Sequence, residues 1–353
     1  MTVLKLGSLF DGIGVFPLAA VHCGMEPVWA SEIEARPISI TKRHFPDMLH
    51  LGDITKISGA EIPPVDVITF GSPCQDLSQI GTRNGFAGKK SSLFYQAMRI
   101  IEEMRYATNG RYPAFCIWEN VAGAFSSNDR LDFAAMLSAF TGAEVSVPPR
   151  GWAHAGMVRG GRADTAWRLL DAQYWGEPAL VQRRKRVFVV ADFAGQRAGE
   201  VLFKPRTVLP FSAIGGPGRL SATQRGGVPA AQTGRQVPIV RPFSLRRMRT
   251  MAQVGDQKGF CASFGRGGEP FPTLLASVTA PFSFWYEGEE QDGFLRVLTP
   301  LECERLMGLP ENWTKYGCKN EEISDHARYR ALGNSIALPC AEYVMAGIAE
   351  VMN

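Results

Sequence analysis

The sequence predicts an α/β fold, a mostly parallel sheet covered by helices and joined to a smaller loop-rich domain. Three observations predict it. From Lys5 to Phe193, short apolar runs alternate with stretches whose apolar residues recur at spacings of three and four, as in strand–helix units of a parallel sheet. After Phe193 the alternation dissolves into Gly, Pro, Gln and Ser, as in AIGGPGRLSATQRGGVPAAQTGRQVP, which reads as a loop-rich second domain. The chain has 353 residues, 45% hydrophobic and 20% charged, enough to bury a large core and to carry a second domain.

Taken in order, KLGSLF, PVWAS, DVITF, AFCIWE, WRLLDA and RVFVVADF read as strands. Between them, VFPLAAVHC, ARPISITKRHF, SSLFYQAMRIIEEMR and RLDFAAMLSAF carry the apolar stripe of amphipathic helices. Order returns at FLRVLTPLECERLMGLPENW, and the chain closes on a segment of helical periodicity within ARYRALGNSIALPCAEYVMAGIAEVM.

Charge and cysteine usage narrow the classes. The net charge is +4, but Ala194–Gln291 holds 12 Lys/Arg against 6 Asp/Glu, so the basic excess sits in the second domain. VRPFSLRRMR contributes Arg241, Arg246, Arg247 and Arg249 to it. A solvated basic surface explains this excess as well as a polyanionic partner does until other residues are considered. The seven cysteines form no Cys-x-x-Cys pair and no metal-ligand spacing with histidines, which favours neither a disulfide framework nor a metal site. The start, MTVLKLGSLFDG, has no leader pattern, and no run reaches the roughly 18 apolar residues of a membrane span, so a cytoplasmic protein without a membrane partner is expected.

Two places carry chemistry. SLFDGIGVF sets Gly12 and Gly14 between a strand and a helix, with Glu32 ending the next strand in position for ribose hydroxyls. A tight strand-to-helix turn would account for the glycines equally well. Val15 occupies the third fingerprint position, and Asp11 adds negative charge to the turn, which disfavours a pyrophosphate and suits a cationic nucleoside. Asp53, in GDI, is a further acceptor, for instance for an adenine amino group. The second place is GSPCQDLS after the strand DVITF. Cys74 alone reads as a buried hydrophobe, but Pro73 stiffens its approach and the carboxyl end of a parallel strand is where such folds bind ligands. Glu119 in WENV, and Arg184 and Arg186 in QRRKR, would line the same edge. The apolar run before Glu119 desolvates its carboxyl, a general-acid environment.

SLFDGIGVF, GSPCQDLS, ENV, QRRKR, RVLTPLECERLMGLP and YRALGNS stand in the order found in DNA cytosine-5 methyltransferases, which the chain resembles from end to end apart from its Gly/Pro-rich middle. The resemblance implies a Rossmann-like S-adenosylmethionine-dependent methyltransferase fold with a target-recognition domain. It puts the catalytic domain at 1–193, completed by 326–353, and the recognition domain at 194–325. It implies Cys74 as the nucleophile toward carbon 6 of cytosine, Glu119 at ring nitrogen 3, and Arg186 at the carbonyl oxygen with Arg184 in support. S-adenosylmethionine, leaving as S-adenosylhomocysteine, would be held by Phe10, Asp11, Gly12, Ile13, Gly14, Glu32, Ile33, Asp53, Ile54, Pro73, Leu93, Asn334 and Ser335, with no metal. Double-stranded DNA with the target base flipped out would meet Gln75, Ser78 and Gln182. The glycine-dotted loop carrying Arg83, Lys89 and Lys90 would meet it too, as would Arg241, Arg246, Arg247 and Arg249.

The same resemblance implies work in a restriction–modification system with a cognate restriction endonuclease, or alone, and a monomer is expected because flipping one base needs no more. Methylation of RNA is the alternative with the same chemistry, and a catalytically silent DNA-binding regulator the alternative without it. A nicotinamide dehydrogenase leaves the later motifs unexplained.

Overall fold

The structure, a computed structural model, describes residues 3–72, 93–204, 239–243, 274, 283–287 and 294–353. The chain divides into two compact units. The first is Met1–Leu170, Lys185–Lys204 and Cys340–Asn353, and the second is Asp171–Arg184 and Pro205–Pro339.

The first unit is built on β1 (Lys5–Leu9), α1 (Val15–His22), β2 (Glu26–Ser31), α2 (Ala35–His44), β3 (Leu49–His50), β4 (Val67–Phe70) and α3 (Leu93–Ala107). It continues with β5 (Phe115–Val121), α4 (Leu131–Thr141), β6 (Ala155–Arg159), β7 (Asp164–Asp171), β8 (Lys185–Asp192) and α5 (Ala198–Leu202). The strands form one sheet in the order β3-β2-β1-β4-β5-β8-β7-β6. β1 pairs in parallel with both β2 and β4, and β4 in parallel with β5. The chain therefore crosses to one side of β1 and then to the other, opening a crevice at the carboxyl ends of β1 and β4.

The six expected strands are present, because runs such as VITF and FCIW are covered on both faces and read as continuous apolar stretches. β3 and β6 are additions. β3 has only two residues, and β6 alternates exposed and half-exposed positions around Gly156, where the Trp167 ring lies 2.3 Å from the place a Cβ would take. Gly7 of β1 is held the same way by Trp29, whose ring would meet a Cβ at 2.1 Å. Trp29, Trp118, Phe70, Phe94, Phe115, Phe133, Phe140 and Phe188 fill the core with no exposed surface. No single helix among the described residues is long and apolar enough to cross a membrane.

The second unit contains the antiparallel strands β9 (Ile239–Phe243), β10 (Ser283–Glu287) and β11 (Phe294–Val297) in the order β11-β10-β9. Much of the Gly/Pro-rich stretch lies outside the described residues. α6 (Pro300–Leu306) starts at a capping box between Thr299 and Glu302, followed by α7 (Asp325–Asn334). α8 (Leu338–Met352) then leads back into the first unit.

The polar centre of the second unit is Glu304, fully buried. It accepts from the Asn312 and Thr314 amides at 2.7 and 2.9 Å, from Thr314 Oγ1 at 2.5 Å and from Arg328 Nη2 at 3.1 Å. Arg328 Nε also donates to Thr314 Oγ1 at 3.0 Å. One carboxylate thus ties α6, the GLPENW turn and α7 together, with its charge compensated. Glu304→Ala strands the buried Arg328 cation and two amides. It should destabilise the protein by about 3–5 kcal/mol, read from equilibrium urea unfolding.

Candidate active site

The turn after β1 is shaped by left-handed residues, Phe10 at φ 53°, Gly12 at 61° and Gly14 at 78°. The Asp11 amide donates to Ser31 O at 3.1 Å, tying the turn to the end of β2. Glu32 then organises the crevice from the adjacent strand. One carboxylate oxygen accepts the Gly12 amide at 2.9 Å, and the other accepts the Ile33 and Glu34 amides at 2.7 and 2.9 Å. Beneath the turn, Thr41 Oγ1 of α2 lies 3.3 Å from Asp11 Oδ2, 3.2 Å from Gly12 O and 3.1 Å from Pro37 O. Thr41 was not singled out by sequence; its helical neighbours gave no sign that its hydroxyl reaches the turn.

Asp11 is the electrostatic anomaly of this region. Burial, reinforced by the nearby Glu32 charge and only partly offset by hydrogen bonds from Ser8 and Thr41, raises its carboxyl from 3.8 to about 7. Asp53 is held the opposite way. Its carboxylate accepts from the Thr55 amide and hydroxyl at 2.9 and 2.8 Å, which lowers its pKa and caps the short turn Ile54–Lys56. Ile33 exposes 73% of its surface beside Glu32, whereas Ile13 and Ile54 are buried and offer the crevice main chain only. Leu93 opens α3, half-buried.

The second half of the site grows from the ends of β4 and β5. Alternate side chains of β5 face opposite ways. On one face Trp118 Nε1 donates to Ser72 Oγ at 3.1 Å and Asn120 Nδ2 donates to Ser72 O at 3.0 Å, gripping the chain as it leaves β4. On the other, Glu119 Oε2 lies 3.2 Å from the place a Cβ on Gly71 would take, so the carboxylate sits against that bare backbone. β8 runs antiparallel to β5, with Glu119 opposite Phe188 and Val121 opposite Arg186. This makes Arg186 the diagonal neighbour of Glu119 on the same face, and its Nε lies 3.0 Å from Glu119 Oε1, with 13% and 10% of the two side chains exposed. Trp118 and Asn120 escaped the sequence reading, although the Glu-Asn-Val signature contained the asparagine.

Several expected residues stand elsewhere. Pro73, Cys74, Gln75, Ser78, Arg83, Lys89 and Lys90 lie outside the described residues, as do Arg246, Arg247 and Arg249. Arg241 lies in β9, opposite Trp285 of β10. Asn334 and Ser335 close α7, in the second unit. The structure describes two further expected residues. Arg184, expected to assist at the reacting base, is buried, and its guanidinium donates to Leu274 O and Gly333 O at 3.0 Å and also to Ser335 O, which makes it a brace for main chain. Gln182, expected on DNA, has no exposed surface.

Comparison with known proteins shows the family and the fold. The family model described as C-5 cytosine-specific DNA methylase matches residues 4–204 and 242–350. The Type II methyltransferase M1.ScrFI of Lactococcus lactis subsp. cremoris is 27% identical over 99% of this chain and 78% of its own. M.HhaI of Haemophilus parahaemolyticus is 23% identical over 100% and 96%. A protein of Escherichia phage P1 named a DNA N-6-adenine-methyltransferase is 24% identical over 98% of this chain, which spans 61% of that protein's length. Among solved structures, the Dnmt2 methyltransferase of S. pombe superimposes with a TM-score of 0.58 at 15% identity, covering 99% of both chains, and shows the same fold.

The raised Asp11 carboxyl has a consequence for stability. The folded state holds its proton up to about pH 7, while the unfolded state releases it near 3.8. The contribution is complete below pH 3.8 and is lost as the pH rises through about 7. Asp11→Asn should therefore flatten the fall in stability between roughly pH 4 and 7, measured by urea unfolding across that range.

Proposed function

The chain belongs to the C-5 cytosine-specific DNA methylase family and by that membership is a cytosine-5 DNA methyltransferase, and we propose that it moves a methyl group from S-adenosylmethionine to carbon 5 of a cytosine flipped out of duplex DNA. The observation that carries the reading is the desolvated Glu119–Arg186 pair at the sheet edge where the chain leaves β4 toward Cys74.

The residues present fit the cofactor. The acidic turn formed by Asp11 and Glu32 favours a cationic nucleoside over a phosphate. Exposed Ile33 offers an apolar surface to a base, and a Cβ built on Gly12 would meet nothing within 4 Å, leaving the turn open to a ligand. Phe10, Asp11, Gly12, Ile13, Gly14, Glu32, Ile33, Asp53, Ile54, Pro73, Leu93, Asn334 and Ser335 are the proposed cofactor residues. When bound, S-adenosylmethionine supplies an electrophilic methyl on sulfonium.

Carbon 5 of cytosine is too weak a nucleophile to react unaided. The Cys74 thiolate adds to carbon 6, and the electron pair of the double bond between carbons 5 and 6 moves toward carbon 5 and the ring. Glu119 shares a proton with ring nitrogen 3, and Arg186 donates to the oxygen on carbon 2, so the negative charge of the adduct faces a proton donor and a cation already in place. Ion pairing with Arg186 also keeps Glu119 pointed at one spot. After methylation the proton on carbon 5 goes to a base and the thiolate leaves carbon 6, restoring the double bond. Ser72, two residues before Cys74 in the sequence, is gripped by Trp118 and Asn120.

A target base inside a duplex is out of reach of any such pocket, so the reading includes base flipping. The basic excess of the second domain, with Arg241, Arg246, Arg247 and Arg249, is proposed to hold phosphates, as are Arg83, Lys89 and Lys90. The proposed division by function remains 1–193 with 326–353 for catalysis and 194–325 for recognition. A cognate restriction endonuclease, a cytoplasmic setting and a monomeric state belong to the same proposal.

Incubation with labelled S-adenosylmethionine and duplex DNA should yield 5-methylcytosine located by sequencing; label entering RNA alone would refute the DNA substrate. Cys74→Ser should abolish the covalent adduct with DNA carrying 5-fluorocytosine, and an adduct that persists would unseat the assigned nucleophile. Glu119→Gln should retain cofactor binding and slow turnover roughly 100-fold or more.

A further inference from the structure

The segment between β5 and α4 contains a conformation the proposed reaction does not explain. Asn128, Asp129 and Arg130 are three consecutive left-handed residues, at φ 47°, 51° and 74°, and none is glycine. Each is disfavoured by its own Cβ, so such a run persists only where its surroundings hold it. Here they do. Asp132, fully buried, accepts from Ser127 Oγ at 2.5 Å and Asn128 Nδ2 at 3.1 Å. Trp152 Nε1 donates to Arg130 O at 3.0 Å. The Arg130 guanidinium lies across Gly151, 3.1 Å from where a Cβ would stand, so only the bare glycine lets it through.

The result is an exposed arginine fixed in place with no hydrogen bond or ion pair engaging its guanidinium among the described residues, followed across Gly151 by Arg150, exposed and equally unengaged. Beside them runs an aromatic ledge. Exposed His154 stacks on Phe125, with ring centres 6.4 Å apart at 25°, Phe125 packs on Phe133 at 4.8 Å, and Phe133 on Trp152 at 5.0 Å. The segment begins where β5 ends, at Val121, so it stands on the sheet edge that carries Glu119.

We propose that Arg130 and Arg150, seated on the Phe125–His154–Trp152 ledge, form a shelf on the first unit that binds phosphates of the DNA backbone beside the target base. The inference rests on the reading of duplex DNA as substrate. Cations with planar side chains next to them are the chemistry that grips nucleic-acid backbone. Asp129, exposed in the same turn, is the acidic group nearest in sequence. Holding Arg130 in a left-handed turn fixes the main chain from which its guanidinium projects, which saves the backbone entropy an arginine on a free loop would lose on contact.

The test uses the full chain and a 20-base-pair duplex of arbitrary sequence, with fluorescence anisotropy at several KCl concentrations. Arg130→Gly removes the cation while giving the turn the residue its backbone favours, so Tm should hold or rise. Arg150→Gln removes the second cation at a surface position. Each should weaken binding about 3- to 10-fold near 0.1 M salt and reduce the slope of log K against log salt by about 0.9, with S-adenosylmethionine affinity unchanged. Unchanged affinity and slope in both variants would overturn the shelf, as would an Arg130→Gly protein that loses Tm but binds DNA normally. A wild-type protein that binds RNA and ignores the duplex would overturn the underlying substrate reading instead.

Discussion

The antiparallel pairing of β8 against β5 is the constraint on which the site depends. By register alone it sets Arg186 diagonally across from Glu119 on one face of the sheet. The pair is almost closed to solvent, so removing either partner would leave the other as an uncompensated charge. The same strand β5 uses its opposite face to grip Ser72 through Trp118 and Asn120. One strand therefore fixes both the carboxylate and Ser72, and a register slip of one residue would exchange the two faces.

The crevice at the end of β1 follows a related logic. Its turn is held from above by Glu32, through main-chain amides, and from below by Thr41 and the raised Asp11 carboxyl. Proton retention by Asp11 relieves the repulsion between it and Glu32. The second unit has its own polar keystone in Glu304 and its own brace in Arg184. Both join distant stretches of chain through main-chain partners.

Much of this architecture was legible in the order of residues. Runs such as VITF, FCIW and RVFVV are buried on both faces, so their continuity announced strands, and the motifs from SLFDGIG to YRALGNS announced the family. The use of Arg184 as a brace was not legible, because it depends on which carbonyls arrive from 90 or 149 residues away. β6 was missed because its alternation is broken by Gly156, and the reason for that glycine is the ring of Trp167 on the next strand.

The sequence by itself determined which residues are chemically able to act: a cysteine after Ser-Pro, a carboxylate in Glu-Asn-Val, an arginine in Gln-Arg-Arg-Lys-Arg, glycines after the first strand. Tertiary structure decided which of two neighbouring arginines meets the carboxylate, since Arg184 ends up braced against main chain of the second unit while Arg186 reaches Glu119. It also decided that Asn128, Asp129 and Arg130 take a left-handed path. The physical reason is common to both. Chemical capacity is a local property of a side chain, whereas desolvation, pairing and strain are set by partners that only folding brings into contact.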